Sequence, residues 1–152
     1  MENLAVQVEP FRPFLEEVAP LLVDHYEEIS LHKGRFPLNP QYDEYLKRDA
    51  YGGVVTITLR KGEKLVGYIV AFVAPGLHYR DCLTLTVDIF YVAAKHRGRH
   101  GGVKLFRALE EEAKRRGVSM IVAGTKMHKD VAYLFQRLDY EPIETYYSKW
   151  ID

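Results

Sequence analysis

A chain of 152 residues that is 47% hydrophobic can bury a core without disulfides or metal, and it is too rich in aliphatic and aromatic residues for disorder. Its 21 basic and 21 acidic residues give zero formal net charge, which argues against a globally basic nucleic-acid binder and leaves room for a local basic patch. The single cysteine, Cys82, excludes an internal disulfide framework and a four-cysteine zinc site. No apolar run reaches the roughly 18 residues of a membrane span. Met1-Glu2-Asn3-Leu4 lacks a basic start before an apolar core, so the expected location is a reducing cytosol.

Leu4 to Val8 alternates and reads as a first strand. Phe14, Val18, Leu21, Leu22, His25 and Ile29 recur at helical spacing, and Pro20 inside that run predicts a kink or two short helices. Residues 31–40 are turn-rich. Gln41 to Ala50 reads as a short helix, with Asn39 as its cap and Pro40 at its first position. Its tyrosines, Tyr42 and Tyr45, read as packing residues. Val54 to Arg60 and Leu65 to Val73 form a hairpin around the turn at 61–64. Pro75-Gly76 marks the next turn, and Cys82 to Val92 the longest strand. Gly101 to Arg116 is an amphipathic helix stopped by Gly117. Val118 to Ala123 reads as a strand, Lys129 to Leu138 as a helix and Ile143 to Trp150 as a final strand. The order β-α-α-β-β-β-α-β-α-β predicts an α+β fold, a mixed α/β sheet with helices on its faces, in one domain over 1–152.

The most informative segment joins the long strand to the amphipathic helix. From Lys95 to Arg107 it carries five formal positive charges and no acid, with Gly98, Gly101 and Gly102 among them. A strand, a basic glycine-rich turn and a helix start together describe a phosphate cradle. Val103 stands where a Walker A loop has its second glycine, and His100 interrupts a G-x-G-x-x-G pattern. A solvated basic turn accounts for the same spacing.

Arg97-x-x-His100-x-Gly102, five residues after Val92 and before a long Glu-rich helix, resembles motif A of the GNAT superfamily, the acyl-CoA-dependent N-acyltransferases. The family pattern is Arg/Gln-x-x-Gly-x-Gly/Ala, so His100 stands at the usual middle glycine. Val131 to Tyr140 resembles motif B, with Phe135 in the usual tyrosine place, Asp139 in the glycine place and Tyr140 in the phenylalanine place. His78-Tyr79-Arg80, the Asp88 strand and the ending Glu144-x-Tyr146-Tyr147-x-Lys149 also resemble a group of such proteins often carried by tailed bacteriophages. The resemblance covers nearly the whole chain.

It implies acetyl-CoA as co-substrate, held where strands 82–92 and 118–123 splay. The turn Arg97, Gly98, Arg99, His100, Gly101, Gly102 and Val103 would take the pyrophosphate, and backbone groups of Phe90 and Val92 the pantetheine arm. His128 lies near a position where the family often has Asn, and either orients that arm or serves as an acid/base, or else caps the following helix or lies on the surface. Phe135 lacks the hydroxyl with which many relatives protonate the departing sulfur; Tyr146 and Tyr147 are the candidate replacements. His78, Tyr79 and Arg80 open the long strand on the expected acceptor side.

Asp88 is a carboxylate in a nearly continuous apolar strand. Strict alternation puts Leu83, Leu85, Val87, Ile89 and Tyr91 on one face, and Cys82, Thr84, Thr86, Asp88, Phe90 and Val92 on the other. Such a carboxylate needs a partner or a purpose: it either receives the proton of an attacking amine or anchors structure. His96 and His100 are four apart with no third ligand, and H-E-x-x-H is absent, so no metal is expected. The leading reading is transfer of an acetyl group to an amine of unknown size: a small molecule, a protein amine or a modified base. A non-catalytic module binding coenzyme A, another phosphate ligand or nucleic acid is the alternative. A homodimer is possible through an edge strand near the C-terminus.

Overall fold

The computed structural model describes residues 3–98 and 100–152. In chain order the elements are β1 Leu4–Val8, α1 Phe11–Ile29, α2 Tyr42–Ala50, β2 Val54–Lys61, β3 Lys64–Pro75, β4 Leu83–Val92, a 3-10 turn Ala94–His96, α3 Gly101–Arg115, β5 Met120–Val122 and α4 Ala132–Arg137. The strands form one sheet in sequence order, antiparallel from β1 to β4, with β5 parallel to β4.

Each face of the sheet has its own core. On one face, Phe11, Phe14 and Val18 of α1 pack on Val54, Leu65, Tyr68, Val70 and Tyr91, with Tyr45 and Leu46 of α2 at the margin. On the other, Leu105, Phe106 and Leu109 of α3 and Leu134 and Phe135 of α4 pack on Val55, Ile57, Leu59, Ile69 and Leu85. A strand covered on both faces can lose its polar alternation, as β3 does from Leu65 to Val73, whereas β2 alternates Val55, Ile57 and Leu59 with buried Thr56 and Thr58.

Four expectations are corrected. Pro20 does not divide the first helix: α1 is continuous, because buried Phe11, Phe14, Val18 and His25 pin it on both sides of the lost N–H bond. α2 starts at Tyr42 after Gln41, not after Asn39. The final strand, Ile143 to Trp150, is not formed. A strand requires a ladder, and the edge strand β5 is only three residues long. The aromatic end of the tail packs elsewhere: Trp150 meets His32 and Phe36, the Arg35 guanidinium lies 4.5 Å over its ring, and Arg35 pairs with Asp152. The fourth correction, in β4, belongs to the site and is described with it.

α3 is held at both ends. Its first turn sits against β2 because Gly101 has no Cβ; one placed there would come 2.8 Å from Leu59 Cδ2. Near its end, Glu112 is buried and accepts hydrogen bonds from Arg115 (2.8 and 2.5 Å) and Arg116 (2.8 Å). Arg116 also donates to the Gly52 carbonyl at 3.2 Å, tying the helix to the start of β2. No helix among the described residues is long and apolar enough to cross a membrane.

The hydrogen bonds from Arg115, with those from Arg116, hold the Glu112 carboxyl down to about 2. A depressed carboxyl stabilises the fold above its unfolded value and loses that contribution as pH falls through the folded one. Glu112→Gln is therefore expected to cost about 1.5–3 kcal/mol at pH 7, the range for hydrogen bonds to a charged group. The gap to wild type should close as pH falls from 4.5 towards 2. Denaturant unfolding across that range measures it.

Candidate active site

β4 pairs with β5 over three rungs only, Thr84 with Met120, Leu85 with Ile121 and Thr86 with Val122. β4 continues to Val92 while β5 stops at Val122, so the edge of residues 87–92 faces an opening between two parallel strands. An open strand edge offers main-chain donors and acceptors to an extended ligand.

Strict alternation fails at the mouth of that opening. Val70 is opposite Ile89 and Ala71 is opposite Val87, so Asp88 is the extra residue of a β-bulge. Leu85 and Val87 belong to the α3 core, as do Phe90 and Val92; Ile89 and Tyr91 belong to the α1 core. Two consecutive residues, Asp88 and Ile89, thus point to the α1–α2 face. The bulge corrects the expected grouping, which had put Ile89 with Val87 and Phe90 with Asp88. It aims the Asp88 carboxylate out of the core: the residue is exposed and accepts a hydrogen bond from Tyr45 of α2 at 2.5 Å.

At its far end β4 runs into the basic turn. Gly98 (φ 77°) and His100 (φ 59°) both have left-handed backbones, and His100 immediately precedes α3. His100 thus occupies a conformation that glycine adopts without cost, in agreement with the motif position it fills. No side chain caps α3, and its intrahelical ladder starts with the Lys104 N–H on the His100 carbonyl. The N–H groups of Gly101, Gly102 and Val103 therefore sit at the positive end of a 15-residue helix, a setting that suits a pyrophosphate.

The Arg97 side chain is already engaged. Its Nε donates to the Val92 carbonyl at 2.8 Å, its two terminal nitrogens hold both carboxylate oxygens of Glu28 from α1, and its guanidinium lies 5.4 Å from the Tyr91 ring centre. The Arg97 hydrogen bond keeps the Glu28 carboxyl below the usual range. Behind Tyr91, buried His25 stacks at 4.9 Å and contacts the Tyr68 hydroxyl through Nδ1 at 2.8 Å; burial lowers its imidazole to about 4, so it is neutral. Arg97 thus ties the end of β4 and the basic turn to α1.

The family model of the acetyltransferase (GNAT) family matches residues 15–140. The chain belongs to that family. It is an N-acetyltransferase: acetyl-CoA supplies the acetyl group and an amine accepts it. The fold is similar to the ribosomal-protein-alanine N-acetyltransferase from Brucella melitensis biovar Abortus 2308, at 22% identity and a TM-score of 0.75 over 98% of this chain and 99% of that one. It is also similar to AAC(6')-Iy in complex with the bisubstrate analog CoA-S-monomethyl-acetylneamine (14%, TM-score 0.69, 98% and 99%). Glucosamine-6-phosphate N-acetyltransferase from Arabidopsis thaliana shares the fold as well (12%, TM-score 0.72, 99% and 100%). A sequence search of curated proteins found no match.

Within this GNAT domain the expected residues separate into groups. Phe90, Val92, Gly98, His100, Gly101, Gly102 and Val103 line up from the open β4 edge to the start of α3; Arg99 lies outside the described residues. Phe135 is buried among Phe90, Phe106 and Tyr140, with ring centres 6.0, 5.3 and 5.6 Å away. Asp139 ends its helix with φ 62°, the left-handed turn that the motif's glycine place requires. The His128 Nε2 lies 2.8 Å from the Ile29 carbonyl, linking the segment before α4 to the end of α1. Tyr146 and Tyr147 lie in the unpaired tail with exposed rings, and the structure does not bring them to Asp88. The neighbouring Glu144 holds the Tyr146 phenol above its ordinary value, which disfavours its ionised form. Among the described residues no group of three or more His, Cys, Asp or Glu is placed to hold a metal.

His78 and Tyr79 line a hollow of about 280 Å3 together with Phe72, Leu77, Thr84, Thr86 and Met120; Arg80 is not part of its wall. Thr86 of its wall is cross-strand from Phe72, and Asp88 follows two residues later on β4. Two residues were not foreseen as functional: Glu28, one acid among several on α1, and Tyr45, which has the spacing of an ordinary packing residue.

Because Arg97 is spent on α1, loosening that tie should loosen the cofactor turn. Glu28→Gln, which touches no ligand, is expected to raise the Kd for acetyl-CoA about three- to tenfold, as expected for one weakened charged pair. Calorimetry should show this loss in the wild-type background and little further loss in Arg97→Ala.

Proposed function

We propose that this enzyme joins its acceptor amine to the acetyl group at Asp88, without a metal and without a covalent enzyme intermediate. The bulge that turns the Asp88 carboxylate out beside the open β4 edge is the observation that carries this reading. The main-chain N–H groups of Gly98 and of His100 to Val103 hold the pyrophosphate, and the main chain of Phe90 and Val92 pairs with the pantetheine arm. The acceptor arrives as an ammonium, which the carboxylate attracts. Asp88 takes one proton, directly or through a water, and the freed nitrogen lone pair attacks the thioester carbonyl carbon. The new C–N bond forms, the C–S bond breaks with its electron pair leaving on sulfur, and the second proton shed by the acylated nitrogen goes to the thiolate or to solvent, leaving the amide and free coenzyme A. A thiol with a pKa of about 8.5 is a tolerable leaving group near neutral pH, so Phe135 needs no hydroxyl.

The acceptor we propose is a small monoamine with an apolar body. The hollow near Asp88 is lined by Phe72, Leu77, Tyr79 and Met120 with His78, Thr84 and Thr86, and no carboxylate is in its lining. A polycationic acceptor would meet one carboxylate, Asp88, and then an apolar wall. The enzyme is proposed to act in a reducing cytosol as one domain, with the unpaired tail of 143–150 available to a second copy.

Asp88→Asn is expected to retain acetyl-CoA affinity and lose about 10²–10⁴-fold in kcat; an unchanged kcat would contradict the assignment. Phe135→Tyr should gain less than about tenfold, a barrier change below about 1.4 kcal/mol. For the acceptor, kcat/KM with 2-phenylethylamine should exceed that with neamine, and the opposite order would contradict the apolar assignment.

A further inference from the structure

We propose that Tyr45 is a positioning residue for Asp88, fixing the carboxylate that receives the amine proton and coupling it to α2. The inference rests on the assignment of that role to Asp88. The Tyr45 hydroxyl donates to one carboxylate oxygen, Oδ2, at 2.5 Å across 43 residues of sequence. The other oxygen, on an exposed side chain, is left for the acceptor ammonium.

A tyrosine can fix a carboxylate only if its own ring is fixed. The Tyr45 ring stacks on Phe11 of α1 at 5.4 Å and 12°, and packs on Phe72 of β3 at 5.4 Å and 43°. Phe72 is covered in turn by the Arg48 guanidinium at 4.4 Å, one helical turn further along α2. Three elements thus hold one phenol. Burial, and then the Asp88 carboxylate, push that phenol well above its ordinary value, so it stays protonated and remains a donor. An exposed Asp on a bulge would otherwise turn freely about its terminal torsion, which has two broad wells. A hydrogen bond from a packed ring selects one orientation before the acceptor arrives, so less ordering remains for the transition state.

The geometry also gives α2 a part in turnover. Tyr45 and Phe72 help to wall a second hollow, of about 490 Å3, with Asn39, Gln41, Glu44 and Arg48. Phe72 is common to both hollows, and Tyr45, which lines the second, holds Asp88. Displacement of α2 would release the carboxylate, so the position of α2 influences kcat.

A double-mutant cycle on kcat, with 2-phenylethylamine or the best acceptor found, tests this. Tyr45→Phe keeps the ring and removes only the hydroxyl, so its thermal midpoint should stay close to wild type. The variant should lose about ten- to a hundredfold in kcat with unchanged Kd for acetyl-CoA, the span that one charge-assisted hydrogen bond supplies. Added to Asp88→Asn, the same substitution should change kcat by less than about twofold, because the group it acts through is gone. Equal losses in both backgrounds would show that Tyr45 acts independently of Asp88 and would overturn the inference. A slowed Asp88→Asn beside an unaffected Tyr45→Phe would overturn the Tyr45 role alone. An Asp88→Asn enzyme with wild-type kcat would remove the Asp88 assignment and this inference with it.

Discussion

One extra residue in β4 organises the molecule. Up to Val87 the strand directs its apolar side chains towards α3, and from Ile89 onward the alternation restarts one residue out of step. Without the bulge, Ile89 and Tyr91 would leave the α1 core, and Phe90 and Val92 would leave the α3 core. The extra residue cannot be apolar without placing a greasy side chain in the opening. Asp88 is what the chain has there, and its partner is a phenol brought from the opposite helix. The same strand, past its three rungs with β5, provides an edge free for a ligand. The bulge and the outward carboxylate are thus consequences of one local departure from regular pairing, and the short β5 leaves the edge beside them open.

The turn after β4 depends on its neighbours for stiffness. Left-handed His100 costs energy that the surrounding contacts must offset. Gly101 against Leu59, Arg97 against Glu28 and the Lys104 ammonium on the Leu4 carbonyl at 2.8 Å each tie the turn or the start of α3 to a different element. The positive charge that made this segment conspicuous in the sequence is therefore partly structural. Arg97 braces, while the helix-start N–H groups, which carry no formal charge, are the proposed pyrophosphate contacts.

Most of the fold was legible in the sequence because strong local patterns and dense packing agree there. α3 shows its periodicity and its glycine stop, and the β2–β3 hairpin its branched residues and turn. What was hidden depended on partners far along the chain. Alternation cannot reveal a bulge, because residues 87–92 are apolar on both faces apart from Asp88. Tyr45 has no local mark that separates it from Tyr42; its significance lies in a contact 43 residues away. Ile143 to Trp150 has strand composition, yet composition does not supply a ladder, and Trp150 instead packs on the 32–36 loop. His25 read as a helix-face residue, and it is one, but its burial against Tyr68 and Tyr91 makes it part of the scaffold behind Arg97.

The proposed placement of the co-substrate along the open edge of β4 and at the start of α3 is tested directly by amide hydrogen exchange. Adding coenzyme A to the protein should slow exchange in residues 87–92 of β4 and at Gly101, Gly102 and Val103, with little change in β1 and β2. Protection confined to the α1–α2 loop or to the tail, with β4 unchanged, would contradict it.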